Sequence, residues 1–306
     1  MTNLLPTNET IMQRVRRHIH GFGALFLVIA IPLMAQAPTE AVKSGTPVLR
    51  VYGPGGPAPA MKELALAFSA KRKVAVEVTA GPTPVWKEKA LKDADLIFSG
   101  SEYMMTDFVQ KDLPGLLKPE AVHTLYLRPS AILVRPGNPK GIRGVRDLVR
   151  PGLRVLIVQG AGQLGLWEDV VGRTGDVTLV RAFRKQIALH APNSAEVRKA
   201  WVAVPTLDAW LIWNIWQKAS PELADAVPTE PTFTVYRSCG AAVTTRTQEP
   251  ALAAEFLTFL ESAEAQPIFT KWGWMSGAAV SRPTQPARTP AARIMPGRYS
   301  KIGSGQ

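Results

Sequence analysis

Three short glycine-bearing segments carry the residue types best suited to holding an anion. They are Gly53-Pro54-Gly55-Gly56, Ser99-Gly100-Ser101-Glu102 and Gly160-Ala161-Gly162-Gln163. Each follows an aliphatic or β-branched run and leads into a helical period, which places it at the carboxyl end of a strand. Free backbone N–H groups at such a turn, backed by the positive end of a helix, favour negative charge. Gly55, Gly56, Gly100, Ala161 and Gly162 would supply backbone donors. Thr79, Thr83, Ser99 and Ser101 add hydroxyls, and Gln163 adds an amide. Plainer readings stay open beside this one. Ser99 with Glu102 three residues on also fits a capping box, and the other two segments are also ordinary turns. The first matches neither G-x-G-x-x-G nor G-x-x-x-x-G-K-[ST], which argues against nucleotide binding.

Two arginines extend the same chemistry. Arg128 follows Tyr126-Leu127, and Arg237 follows Tyr236, at the two points where the chain is expected to cross between lobes. A guanidinium offers a planar fork of donors matched to carboxylate, phosphate or sulfate. Asp208 opens an apolar stretch, 207–218, that carries Trp210, Trp213 and Trp216 and reads as a long helix. The acid there is either a favourable N-terminal charge or a partner for the ammonium of an amino-acid ligand. The tryptophans read as core.

Catalytic parts are thin. After the first forty residues only His123 and His190 remain, in no metal-binding spacing, and the single cysteine is Cys239. There is no G-x-S-x-G elbow, and one cysteine permits neither an internal disulfide nor a cysteine-rich zinc site. No catalytic residue, metal or cofactor is therefore expected.

The elements needed to position these groups can be read from the pattern. Residues 48–52, 74–79 and 96–98 read as strands. A helix between the first two buries Met61, Leu64, Ala65 and Phe68 at i, i+3, i+4 and i+7, and a short one spans 86–91. Strand-helix repetition of this kind argues for parallel sheets with right-handed crossovers. The pattern restarts at 131–134 and 155–158, a helix opens from Leu164, and 233–236 reads as a further strand. A last amphipathic helix carries Leu252, Phe256, Phe259 and Leu260 on one face. The expected fold is α/β in two lobes, 45–127 with 237–275 and 128–236.

At 306 residues, 46% apolar and 20% charged, the chain is long enough for two such units. Its formal charge of +12 suits nucleic acid, an anionic surface or a small anion. Arg14, Arg16 and Arg17 precede an uncharged stretch, 22–34, and then Ala35-Gln36-Ala37, the pattern of an export leader over 1–37. Without the leader the chain is about +10, and 276–306 holds five of those charges on Arg282, Arg288, Arg293, Arg298 and Lys301. That Pro-, Ala- and Gly-rich tail reads as disordered, so the nucleic-acid reading loses most of its force. No cysteine follows the leader to carry a lipid, so a freely diffusing periplasmic protein is expected.

Longer strings in the sequence resemble one family. Val51-Tyr52-Gly53-Pro54-Gly55-Gly56-Pro57-Ala58-Pro59-Ala60, Thr79-Ala80-Gly81-Pro82-Thr83-Pro84 with Trp86, and Ser99-Gly100-Ser101-Glu102-Tyr103-Met104-Met105 look like signatures of the accessory colonization factor C family. Gly160-Ala161-Gly162-Gln163 with Gly165, Trp167 and Glu168, and Ala209-Trp210 with Trp213-Asn214 and Trp216-Gln217, extend the likeness over most of 48–275. The resemblance implies a type II periplasmic-binding-protein fold related to molybdate and sulfate binders. It implies capture of a small anion (an oxyanion, a phosphorylated or carboxylic acid, or aspartate) and delivery to an ABC-type permease. Some similar proteins form dimers, so a homodimer is an allowed assembly. The competing expectation is an adhesin-like interaction protein that keeps the fold and uses its outer surface, which the cationic tail would serve.

Overall fold

The computed structural model describes residues 47–276. The expected leader over 1–37 and, beyond Ser276, the tail expected to be disordered lie outside the described residues. Nine strands are present in the described residues: β1 (Val48–Gly53), β2 (Ala75–Ala80), β3 (Leu96–Phe98), β4 (His123–Val134), β5 (Val155–Val158), β6 (Ile187–Ala191), β7 (Ala209–Trp213), β8 (Asp225–Pro228) and β9 (Tyr236–Val243). The α-helices are α1 (Ala58–Arg72), α2 (Thr83–Asp93), α3 (Glu102–Asp107), α4 (Leu166–Val171), α5 (Val177–Gln186), α6 (Ser194–Ala203), α7 (Ile215–Ala219), α8 (Pro250–Leu260) and α9 (Gln266–Lys271).

The strands form two sheets joined through one long strand. In the first lobe β1 lies between β2 and β3, all parallel, and β9 closes on β3 antiparallel. In the second, β5 lies between β6 and β7, again parallel. Strand β4 belongs to both: residues 123–129 pair with β9, residues 130–134 pair with β7, and residues 131–134 pair with β8. The crossing between lobes therefore falls inside a continuous strand, and Arg128 faces Arg237 there in register.

Packing follows the apolar spacing. Helix α1 buries Met61, Leu64, Ala65 and Phe68, and ends where Lys73 turns left-handed at φ 56° and donates to the Ser69 carbonyl. Phe68 meets Phe256 of α8 edge-on at 5.0 Å between ring centres. Each such side chain withdrawn from water contributes roughly 1.5–3 kcal/mol, enough to bring 250–275 back onto the first lobe.

Two expectations are corrected. The stretch 207–218 is not one helix but strand β7 followed by the short α7. Every residue of β7 is buried, as in a central strand covered on both faces, and such a run shows no period of two. The last strand starts at Tyr236 and runs to Val243, instead of spanning 233–236. Residues 233–235 turn, with Phe233 and Thr234 donating to the Glu230 carbonyl.

Gly53 ends β1 where β3 runs closest. A Cβ there would lie 2.5 Å from the Phe98 carbonyl oxygen, a backbone atom that cannot turn aside. Gly53→Ala is accordingly expected to cost about 1–3 kcal/mol in urea unfolding, the usual range for forced overpacking. A loss below about 0.5 kcal/mol would show that β1 and β3 separate freely.

Candidate functional site

A cavity of about 670 Å³ is lined from both lobes, a size typical of small-molecule sites. The first lobe contributes Pro54, Gly55, Gly56 and Pro57, then Gly81, Pro82 and Thr83, then Gly100 and Met104. The second contributes Gly162, Gln163, Asn193, Ser194, Ala195, Arg198, Lys199, Val202 and Trp216. Three helices of two turns or more start at this cavity: α1 and α2 from the first lobe and α6 from the second. Their N-terminal ends bring partial positive charge to one space.

Arg128 lies at the centre. Its residue is 2% exposed, yet the side chain reaches the cavity lining. The guanidinium lies over two buried indoles, its carbon 4.8 Å from the Trp213 ring centre and 5.0 Å from that of Trp274. Nη2 donates to the Gly100 carbonyl, and Nε, fully buried, has no hydrogen-bond partner. No carboxylate is among the charges that act on it. Burial pushes the guanidinium down to about 9 from its ordinary 12.5, with the Arg237 charge adding to the effect. The group therefore stays charged at neutral pH. Because the folded-state value is the lower one, that charge costs the fold stability at every pH below about 9, and the cost fades only as pH rises above it.

The glycines explain themselves around this group. A Cβ on Gly56 would come within 3.1 Å of Arg128 Nη1, on Gly100 within 3.4 Å of both Nη1 and Nη2, and on Gly162 within 3.5 Å of Nη2. All three turns read from the sequence thus close on one guanidinium. Gly55 packs near Trp216, its Cβ position 3.8 Å from the indole edge.

Of the other expected residues, Thr83 and Gln163 line the cavity. Gln163 Nε2 donates to Ser194 Oγ at 2.9 Å, and its buried Oε1 is unpartnered. Ala161 opens the 3-10 turn Ala161–Gln163. Ser101 stands just behind the lining: it caps α3 by accepting from the Met104 N–H, and its Oγ is 3.5 Å from the Cβ position of Gly162. Ser99 is not the cap. Its hydroxyl is fully buried and accepts from the Gly240 N–H at 3.3 Å, while Glu102 accepts from Thr124 and Ser238.

Four further expected residues fall outside the lining. Thr79 is exposed on β2. Tyr236 is 37% exposed. Asp208 precedes β7, at the strand end remote from the turns; it accepts from the Arg154 N–H at 2.9 Å and lies 3.6 Å from Lys140. Its reading as a helix N-terminal charge depends on a helix that is not there. Its reading as an ammonium partner needs it to face the cavity, whose lining does not include it. Arg237 turns away to pair with Asp169 of α4.

Sequence reading missed the contribution of α6. Asn193 caps it, accepting from the Ala195 and Glu196 N–H groups at 3.0 Å, and Arg198, Lys199 and Val202 reach the cavity. The signal was present: Asn193-Ser194 precedes Val197, Ala200 and Trp201, a cap followed by a buried stripe. Among the described residues no three His, Cys, Asp or Glu side chains gather as a metal would need, and no helix is long and apolar enough to cross a membrane.

A buried charge without a counter-charge is the kind of group an apolar isostere can replace at no cost to the fold. Arg128→Met is expected to leave the anion-free melting midpoint unchanged or higher, by up to about 2 kcal/mol of added stability. A loss of more than about 2 kcal/mol on the same melting curve would make Arg128 a structural strut.

Comparison with known proteins agrees with this fold. Residues 49–275 match the family model for bacterial extracellular solute-binding proteins. Among solved structures, PEB3 with L-phospholactate bound is 36% identical, with TM-score 0.70, and the match covers 74% of this chain and 99% of that one. Peb3 from Campylobacter jejuni is 35% identical at TM-score 0.69 with the same coverage. The sulfate-binding protein SubI of Mycobacterium tuberculosis shares the fold at 18% identity and TM-score 0.62, covering 74% of this chain and 86% of that one. A comparison with curated proteins found no match. The likeness read from the motifs to accessory colonization factor C and the type II fold is met by these matches. The chain belongs to the bacterial extracellular solute-binding proteins.

Proposed function

We propose that this chain is an exported, periplasmic binding protein that captures one small organic anion between its lobes and delivers it to an ABC-type importer. The observation that carries the reading is Arg128, a buried guanidinium held by one carbonyl and two indole faces with no carboxylate partner. An anion in the cavity would supply that counter-charge. Nη1 and Nη2 are ringed by Gly56, Gly100 and Gly162, whose missing side chains leave room for ligand oxygens close to the backbone.

The size of the cavity favours an organic acid over a bare tetrahedral oxyanion. PEB3, the relative at 36% identity, has been crystallised with L-phospholactate, which supports a phosphorylated or carboxylic acid as the ligand class. Gln163, Thr83 and the start of α6 would take the remaining polar groups, and Trp216 the carbon skeleton. Closure of the lobes about the β4–β9 crossing would bring Gly56 and Gly100 from one side and Gly162 from the other onto the same anion. No proton needs to move in this mechanism. Binding is electrostatic, and the gain comes from groups already fixed in place.

Thermal denaturation against sulfate, phosphate, L-phospholactate, phosphoglycerate, citrate and both aspartate enantiomers tests the reading. A ligand at a hundredfold excess over Kd adds about 2.7 kcal/mol of stability, so a true ligand stands out. Arg128→Ala is expected to weaken that ligand by about 2 kcal/mol or more, because a buried charge loses its partner. A flat panel on protein free of co-purified ligand, or an Arg128→Ala variant that binds as wild type, would overturn it.

A further inference from the structure

Arg128 and Arg237 are direct cross-strand partners in the antiparallel β4–β9 pair. Opposed residues in such a pair project from the same face with Cβ atoms roughly 4.5–5.5 Å apart. Two guanidinium groups therefore set out side by side at the mouth of one anion site. They end apart. Arg128 enters the cavity lining, whereas Arg237 bends to the carboxylate of Asp169 and stays out of it.

Asp169 is placed by the binding site itself. Its N–H donates to the Gly165 carbonyl at 2.9 Å, in the first turn of α4, which follows directly on the turn bearing Gly162 and Gln163. The Asp169 and Arg237 side chains are 46% and 33% exposed. An ion pair so open to water adds little to stability, so its consequence is where it puts the Arg237 charge. With Asp169 in place, the charge of Arg237 is answered within the protein. Without it, two like charges would flank the site, and the arrangement would favour a ligand carrying more negative charge.

Arg198 and Lys199 of the lining each have a carboxylate neighbour, Glu222 and Glu196. We propose that Asp169 is a specificity-setting residue: by holding Arg237 off the cavity it keeps a second unanswered guanidinium from joining Arg128 and thereby sets how much ligand charge is preferred. The proposal rests on the anion-capture reading. It assigns Asp169 and Arg237 positioning roles rather than direct contact with the ligand.

The test compares L-phospholactate with its carboxamide, the same molecule with one negative charge fewer, by calorimetric titration at pH 7.5 and low salt. The readout is the ratio of the two affinities, which a merely structural ion pair would not move. Asp169→Asn is expected to raise the preference for the carboxylate at least fivefold over wild type. Arg237→Gln, which leaves the Asp169 carboxylate unanswered, should lower the ratio or leave it unchanged but never raise it, and the double variant should return to within twofold of the wild-type ratio. Asp169→Ser serves as a second variant should Asp169→Asn fail to fold, judged by its melting curve. A ratio within twofold of wild type in a folded Asp169 variant overturns the proposal while leaving anion capture intact. A raised preference that persists in the double variant overturns it in the same way. Wild-type protein that takes neither compound overturns the proposal together with phospholactate-type capture.

Discussion

A guanidinium buried without a carboxylate is the constraint around which this molecule is organised. Burying a charge is costly unless something answers it, and here the protein offers only partial answers. Two indole faces, Trp213 from the second sheet and Trp274 from the C-terminal segment, lie against Arg128, and the Gly100 carbonyl accepts one hydrogen bond. Nη1 and Nη2 face the glycines at 56, 100 and 162, while Nε is buried without a partner. Had those turns carried side chains, the guanidinium would be walled off; had a carboxylate stood nearby, an incoming anion would have to displace it. In the proposed function, the absence of both is what lets the residue receive an anion.

The position of that residue on β4 matters as much as its chemistry. The strand serves both sheets, so Arg128 stands where the first sheet passes into the second. Polar contacts secure the crossings on either side. Ser130 accepts from the Val235 N–H at 3.0 Å and meets Thr229 at 3.1 Å, while Glu102 receives Ser238 and Thr124. The lobes are thus free to differ in their outer helices while the crossing keeps its register. Cys239, next along β9, is buried, and burial pushes its thiol up to about 12, which fits a packing role and not a reactive one.

Much of the site was legible because its signals are local. A glycine-bearing turn between a strand and a helix announces itself, and so does an arginine at a break in the pattern. Gly55, Gly56, Thr83, Gly100, Arg128, Gly162 and Gln163 stand out on those grounds and all line the cavity. What could not be read depends on partners distant in sequence. Asp169 lies 68 residues from Arg237, and nothing in either neighbourhood shows that they pair. The tryptophans of 207–218 look helical because a strand buried on both faces is uniformly apolar, like a buried helix. That error also carried Asp208 into the site. Asn193 and α6 were missed for a different reason: the cap and stripe are present, but only the fold reveals that this helix start faces the same space as the Gly56 turn.

The most direct test of the account is a crystal structure of the protein grown with the anion that stabilises it most. The account places ligand oxygens about 2.7–2.9 Å from Arg128 Nη1 or Nη2, within reach of backbone N–H groups at the Gly56 and Gly162 turns. Asp169 should still hold Arg237. An anion bound elsewhere, with Arg128 still answered only by the Gly100 carbonyl and the two indoles, would contradict it.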